Sequence, residues 1–238
     1  MKQKIQFLLM AACFLCTGLA FTSCGSDDDD DGIVPPPVED VHQYVDLGLP
    51  SGLKWATCNV GADKPEAYGS YFAWGETQAK NDYTWATYKW GTEDELTKYC
   101  GDSNYGKDGF TDALTELELS DDAARANWGG QWRTPTKEDF AELIANTDNT
   151  WVADYEGTGV SGYKFTSNSD ATKSIFLPAA GCRGGASSFG RGAEGDYWSR
   201  SLHSGYPGSA YYLDFSSGSV YVDYYGRYCG FAVRPVRP

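Results

Sequence analysis

The sequence predicts an α+β domain: two short helices, a small mixed or antiparallel sheet of short strands, and long ordered loops between them. Three observations lead there. Capped helix starts occur twice between residues 120 and 146. Short apolar runs, punctuated by Gly and Pro, flank that region on both sides, and a hairpin pattern lies near the C-terminus. Of the 238 residues, 41% are hydrophobic and 15% aromatic, too rich for a disordered chain and enough for one domain with a full core.

Residues 1–23 come first and read as an address. Lys2 and Lys4 precede the apolar run Ile5 to Phe21, and the small residues Thr22 and Ser23 lead to Cys24. That order is a signal peptide ending at a lipidation cysteine, so the expectation is an outer-membrane, lipid-anchored, surface-exposed protein. Residues 24–40 follow as a stalk. Asp27 to Asp31 repel one another, and Pro35-Pro36-Pro37 stiffens the chain. The whole chain carries a formal charge of -14. Removing Lys2, Lys4 and the seven acids Asp27 to Asp31, Glu39 and Asp40 leaves 17 basic and 26 acidic residues for the domain at 41–238. An acidic surface excludes nucleic acid as a partner. With only His42 and His203 available, no metal site is expected, and no cofactor either.

Four cysteines remain in the domain: Cys58, Cys100, Cys182 and Cys229. An even number in an oxidising compartment permits disulfides, and all three pairings stay open. Cys58, in the run Trp55-Ala56-Thr57-Cys58, reads as a buried small hydrophobe. Cys182 and Cys229, among Gly, Arg and Tyr, read as more exposed.

Along the domain, His42 to Leu53 reads as a strand and turn, and Lys54 to Val60 as a second strand. Tyr68 to Trp74 is a short aromatic run, and 78–110 a long ordered loop region. Ser120 can cap a helix over Asp121 to Trp128, stopped by Gly129-Gly130. Thr136 can cap a second, with Asp139 closing a capping box and Phe140, Leu143 and Ile144 on one face, ending near Asn146. Strands follow at Gly162 to Thr166 and Ser174 to Leu177. Gly181 to Gly195 is a glycine-rich loop whose Gly190-Arg191-Gly192-Ala193-Glu194-Gly195 has the G-x-G-x-x-G spacing without a helix behind it, so it is no dinucleotide site. A strand starts at Tyr197. Tyr211 to Phe215 and Ser219 to Asp223 then form a hairpin, with Leu213, Phe215, Val220 and Val222 inward and Tyr212, Asp214, Ser216, Tyr221 and Asp223 on the other face. Phe231 and Val233 begin a closing strand.

Residues 196–231 contain eight Tyr, seven Ser and five Gly in 36 positions. Tyr offers large contact area at small entropic cost, and Ser and Gly adapt around it, which is the chemistry of binding loops. The expected contact residues are Tyr212, Asp214, Tyr221, Asp223, Tyr224, Tyr225, Arg227 and Tyr228, with Arg200 and His203 beside them.

Five stretches carry a family resemblance: 44–56, 71–77, Trp132-Arg133-Thr134-Pro135-Thr136, Leu177-Pro178-Ala179-Ala180-Gly181, and Gly230-Phe231-Ala232-Val233-Arg234-Pro235-Val236. Together they resemble the Fibrobacter succinogenes major paralogous domain of Bacteroides lipoproteins. The resemblance implies a C-type-lectin-like fold. Some members resemble the variable proteins of diversity-generating retroelements, and the segment 182–229, with no Asn or Lys, is similar to such a diversified cassette.

No nucleophile motif is present, and a catalytic role is not expected. The reading is a surface lipoprotein displaying a ligand-binding module for a protein or glycan on another cell, a phage or a host surface. Two alternatives are a glycan-active enzyme using Glu76 and an aspartate such as Asp46, and a structural envelope or fimbrial subunit.

Overall fold

The structure is a computed structural model, and it describes residues 42–238. The signal peptide, Cys24 and the acidic stalk lie outside the described residues. Strand β1 (Tyr44–Asp46) pairs antiparallel with β2 (Lys54–Ala56) across a turn in which Gly52 takes φ 73°, a conformation that glycine adopts without steric cost. The stretch from 57 to 122 holds only the two-residue strands β3 (Gly91–Thr92) and β4 (Glu95–Leu96) and single helical turns. It is nonetheless ordered, because Tyr83, Tyr88 and Tyr99 bury their rings in the core.

Helix α1 (Ala123–Trp128) is capped by Asp122, whose carboxylate accepts from the Ala124 and Arg125 amides and from the Thr134 amide and hydroxyl. Gly129, at φ 68°, ends it. Helix α2 (Lys137–Ala145) has the predicted Thr136–Asp139 capping box, buries Phe140 and Leu143, and ends at Asn146. An antiparallel meander follows: β5 (Thr147–Val152), β6 (Gly162–Ser167) and β7 (Ser174–Pro178). A short hairpin, β8 (Cys182–Gly184) with β9 (Ser187–Phe189), leads to a second meander of β10 (Glu194–Leu202), β11 (Ser209–Ser216) and β12 (Ser219–Gly226). Strand β13 (Val236–Arg237) returns to pair with β2.

The second meander divides two cores. Tyr197, Leu213 and Phe215 point toward α2 and pack with Phe140 and Leu143. Trp198, Ala210 and Tyr212, one residue out of phase, pack with Phe231, Val233 and Trp74 on the other side. Successive strand residues face opposite ways, so both faces of this sheet are covered over part of its length. A Cβ on Gly195 would sit 2.0 Å from the Phe215 ring, so the aromatic on β11 fills the space that the glycine on β10 leaves.

The α+β, C-type-lectin-like fold class is overturned. Among the described residues there are 13 strands in five small sheets and two helices of six and nine residues; the fold is β-rich. Hidden strands account for the difference. Strand β5 is Thr-Asp-Asn-Thr-Trp-Val, too polar to show the period-2 pattern, and β8 and β9 lie inside what reads as a glycine loop. Other expectations also shift. Asp122 caps α1, not Ser120, because residues 119–121 form a preceding helical turn. The closing strand is Val236–Arg237, while Phe231 makes only an isolated bridge to Phe72. All four domain cysteines carry free thiols; Cys58 is half-buried and Cys229 buried, the reverse of the expected order.

Candidate ligand-binding surface

The turn at Ser217-Gly218 sets the register of β11 and β12 and fixes every side chain on them. Tyr212, Asp214, Tyr221, Asp223 and Tyr225 share one face of the sheet. Tyr211 and Tyr224 share the other, toward α2. The expected contact residues therefore do not form one patch. They separate into two groups on opposite faces, plus residues that serve the interior.

Of the first group, Tyr212, Asp214, Tyr221 and Tyr225 line a groove of about 310 Å³. Register places Asp196 of β10 opposite Asp214 of β11, and Asp214 opposite Tyr221 of β12, in one row across the sheet. Asp214 Oδ2 accepts from the Tyr212 hydroxyl at 3.0 Å and the Tyr221 hydroxyl at 3.1 Å. Asp196 is 8% exposed, and its Oδ2 is buried without a hydrogen-bond partner. Burial, reinforced by the neighbouring charges of Asp214 and Glu194, pushes the Asp196 carboxyl up to about 7. Asp214, then its hydrogen bond, raises the Tyr221 phenol, and burial followed by Asp214 raises that of Tyr212. Tyr212 itself is buried, although it is among the residues that line the groove. Tyr221 and Tyr225 are exposed at 45% and 49%. Asp223 accepts from the Tyr224 amide.

Beside it lies a larger groove of about 670 Å³, sharing Cys182 and Tyr225 with the first. Trp85, Phe189 and Tyr228 line it, and Trp85 packs on Tyr228 at 5.0 Å. Phe189 is 56% exposed. The Arg183 guanidinium lies 5.5 Å from the Tyr83 ring. Burial raises the Cys182 thiol to about 12 and the Cys229 thiol to about 11, so both stay protonated at neutral pH and neither is an activated nucleophile.

The second group is an aromatic cluster at the opposite face. His203 packs against Tyr206, Tyr211 and Tyr224 with ring centroids 4.2–5.2 Å apart, and Lys137 Nζ sits 4.4 Å from the Tyr211 ring. Burial and the Lys137 charge lower the His203 pKa.

Two arginines serve the interior. Arg227 is fully buried: it donates to the Tyr88 hydroxyl and to the carbonyls of Tyr99, Pro207 and Lys98, and lies 5.0 Å from the Trp74 ring. It does not reach the surface. Arg200 is half-buried, donating to the Leu117 carbonyl and pairing with Glu116 at 3.3 Å. Glu76 and Asp46 are committed separately. Glu76 accepts from Lys80 Nζ and the Lys89 amide, and Asp46 from the Gly48 amide.

Sequence reasoning missed Asp196, Trp85, Phe189 and Arg183. Asp196 was within reach: starting β10 one residue before Tyr197 puts it on the same face as Trp198 and opposite Asp214. Trp85 lies on a single helical turn, and Arg183 and Phe189 on the three-residue strands β8 and β9, elements too short for a period to reveal. Among the described residues no group of three or more His, Cys, Asp or Glu side chains could hold a metal ion, and no helix is long and apolar enough to cross a membrane.

Residues 48–237 match the family model described as the Lcl C-terminal domain. No curated protein and no solved structure matches the chain.

Proposed function

We infer that this chain, which belongs to the Lcl C-terminal domain family, is a display module that binds a protein or glycan ligand through its paired aromatic grooves. Membership in that family is consistent with a surface lipoprotein. In this reading Cys24 anchors the chain by lipid to the outer membrane, the acidic stalk spaces the domain outward, and the ligand belongs to another cell, a phage or a host surface.

One observation carries the reading: the grooves of about 670 and 310 Å³ meet at the half-exposed ring of Tyr225. Concavities of that size, lined by aromatic rings with a few polar groups, suit ligand capture. Phe189 and Tyr225 leave much of their rings in water, which folding alone does not favour. Trp and Tyr faces can stack on sugar rings or accept apolar side chains, and they concentrate binding energy when a partner covers them. The module holds its ligand without acting on it; Glu76 and Asp46 are tied into local structure, and the groove thiols stay protonated.

Binding of the full chain in detergent to arrayed glycans and to intact bacterial and host cells tests this. Phe189→Ala and Trp85→Ala, at the larger groove, should each weaken capture at least tenfold, a loss typical of aromatic anchors, while Phe189→Ala leaves thermal unfolding unchanged. Undiminished capture by both variants would refute the reading.

A further inference from the structure

We propose that the smaller groove captures an organic cation, the guanidinium or ammonium group of an arginine or lysine side chain on a protein partner. The inference rests on the display reading and names the ligand chemistry of one of its two grooves.

The sheet register brings together charges that folding does not call for. Asp196 and Asp214 are direct cross-strand partners, and like charges so placed destabilise a sheet. Glu194, two residues before Asp196 on the same face, adds a third carboxylate to the groove. Among the described residues no Lys or Arg lines it, so nothing lining the groove offsets the repulsion.

The two aspartates differ in what satisfies them. Asp214 has two phenol donors, at 3.0 and 3.1 Å. Asp196, more than nine-tenths buried, lines the groove, and its Oδ2 has none. A buried acceptor left unpaired carries its full desolvation cost. A donor arriving from outside removes that cost and the repulsion together, and a cationic donor removes most.

The walls select the kind of cation. Tyr221 and Tyr225 stand at the rim with their rings half in water, and ring faces attract ammonium and guanidinium groups within about 6 Å. The groove, at about 310 Å³, admits a planar guanidinium and the end of its methylene stem. Among the described residues no three carboxylate, imidazole or thiol groups are placed to hold a metal ion together.

Binding of a cation should depend on pH. Asp196 must be ionised to receive it, and its carboxyl titrates at about 7 because of burial, Asp214 and Glu194. The other titratable groups facing the groove are Tyr212, Tyr221, Tyr225 and Cys182, all of which stay neutral through that range. Affinity therefore falls as pH drops below 7.

The test is titration of the full chain, in detergent micelles, with Nα-acetyl-arginine methylamide, followed by backbone amide NMR shifts. Its neutral isostere Nα-acetyl-citrulline methylamide and calcium chloride are run in parallel. Saturable shifts at Asp196, Asp214 and Tyr221 with the arginine probe alone, at least tenfold weaker at pH 5.5 than at 7.5, are expected. Asp196→Asn should abolish them without lowering the unfolding temperature. Equal response to the citrulline probe, response to calcium only, an unaffected Asp196→Asn variant, or no shifts at all would overturn the proposal. Phe189→Ala lies outside this groove. If it loses surface capture while arginine shifts nothing, the cation site fails and the display reading stands; if arginine binds and Phe189→Ala captures normally, the reverse holds.

Discussion

Arg227→Leu should unfold the domain far more readily while changing little that a ligand touches. The guanidinium is fully buried and makes four hydrogen bonds: to the Tyr88 hydroxyl at 2.8 Å and to the carbonyls of Pro207 at 2.8 Å, Tyr99 at 3.1 Å and Lys98 at 3.1 Å. Among the described residues no carboxylate pairs with it; carbonyl oxygens and the rings of Trp74, Tyr88 and Tyr99 solvate the charge. Hydrogen bonds to a charged donor contribute about 1.5–3 kcal/mol each. Four summed naively give roughly 6–12 kcal/mol, but removing the arginine also removes the cost of burying its charge. Leucine refills part of the volume and leaves three carbonyls without their side-chain donor. A net loss of about 3–5 kcal/mol results, in the range measured when a buried charged network loses a member. At about 2–4 °C per kcal/mol for a domain of this size, the unfolding midpoint should fall by roughly 6–20 °C. Circular dichroism melts of the two proteins read this directly. Arg227→Lys should recover only part of the loss, because an ammonium cannot reach four acceptors in a plane. An unchanged midpoint combined with lost ligand capture would show that Arg227 faces a ligand, and the interior assignment would be wrong.

The remaining expectations concern two aspartates that are buried for opposite reasons. Asp196 is held up at about 7 against an ordinary 3.8, so between those pH values the folded chain binds a proton that the unfolded chain has released. Stability from this group is complete below pH 4 and is lost as pH rises through 7, by up to about 4 kcal/mol; urea melts across that range should slope downward, and Asp196→Asn should flatten them. Asp122 is satisfied rather than orphaned, accepting from two helix amides and from Thr134. Asp122→Ala should cost about 2–4 kcal/mol by freeing the α1 terminus and the Thr134 amide, read as a lower denaturation midpoint with an unchanged slope.

Much of the local structure was legible. The Thr136–Asp139 capping box, the apolar face of Phe140 and Leu143, and the Gly129 stop of α1 are short-range features, and they occur where the residues place them. The β11–β12 hairpin was legible for the same reason: Ser217-Gly218 marks the turn, and Leu213 and Phe215 mark the inward face. The fold class was not. Strand β5 has polar residues at most positions and is held by its pairing with β6, including the Trp151–Tyr163 ring contact at 5.8 Å. Such a strand is specified by its neighbour.

For the candidate surface, composition pointed to a segment that lines both grooves and misjudged where several of its residues lie. Tyr221 and Tyr225 are exposed, and Asp214 and Tyr212 meet in the groove as alternation predicts. Alternation says which residues share a face, however, and not whether that face is wet. Tyr212 is buried because Phe231 and Trp198 pack over it. Tyr224 follows strand phase onto the α2 side, where His203 and Tyr206 wait. Arg227, one step past β12, turns inward because uncapped carbonyls of distant loops need its donors.

The sequence by itself determined the α2 capping box, the glycine stop of α1, the hairpin register and the excess of tyrosine near the C-terminus, because these depend on residues within a few positions of one another. Only the tertiary structure decided which tyrosines meet water, that Arg227 is interior, and that Asp196 stands opposite Asp214 without a partner. Burial and electrostatic pairing depend on what the rest of the chain brings to a residue's side, and that is a property of the packed whole.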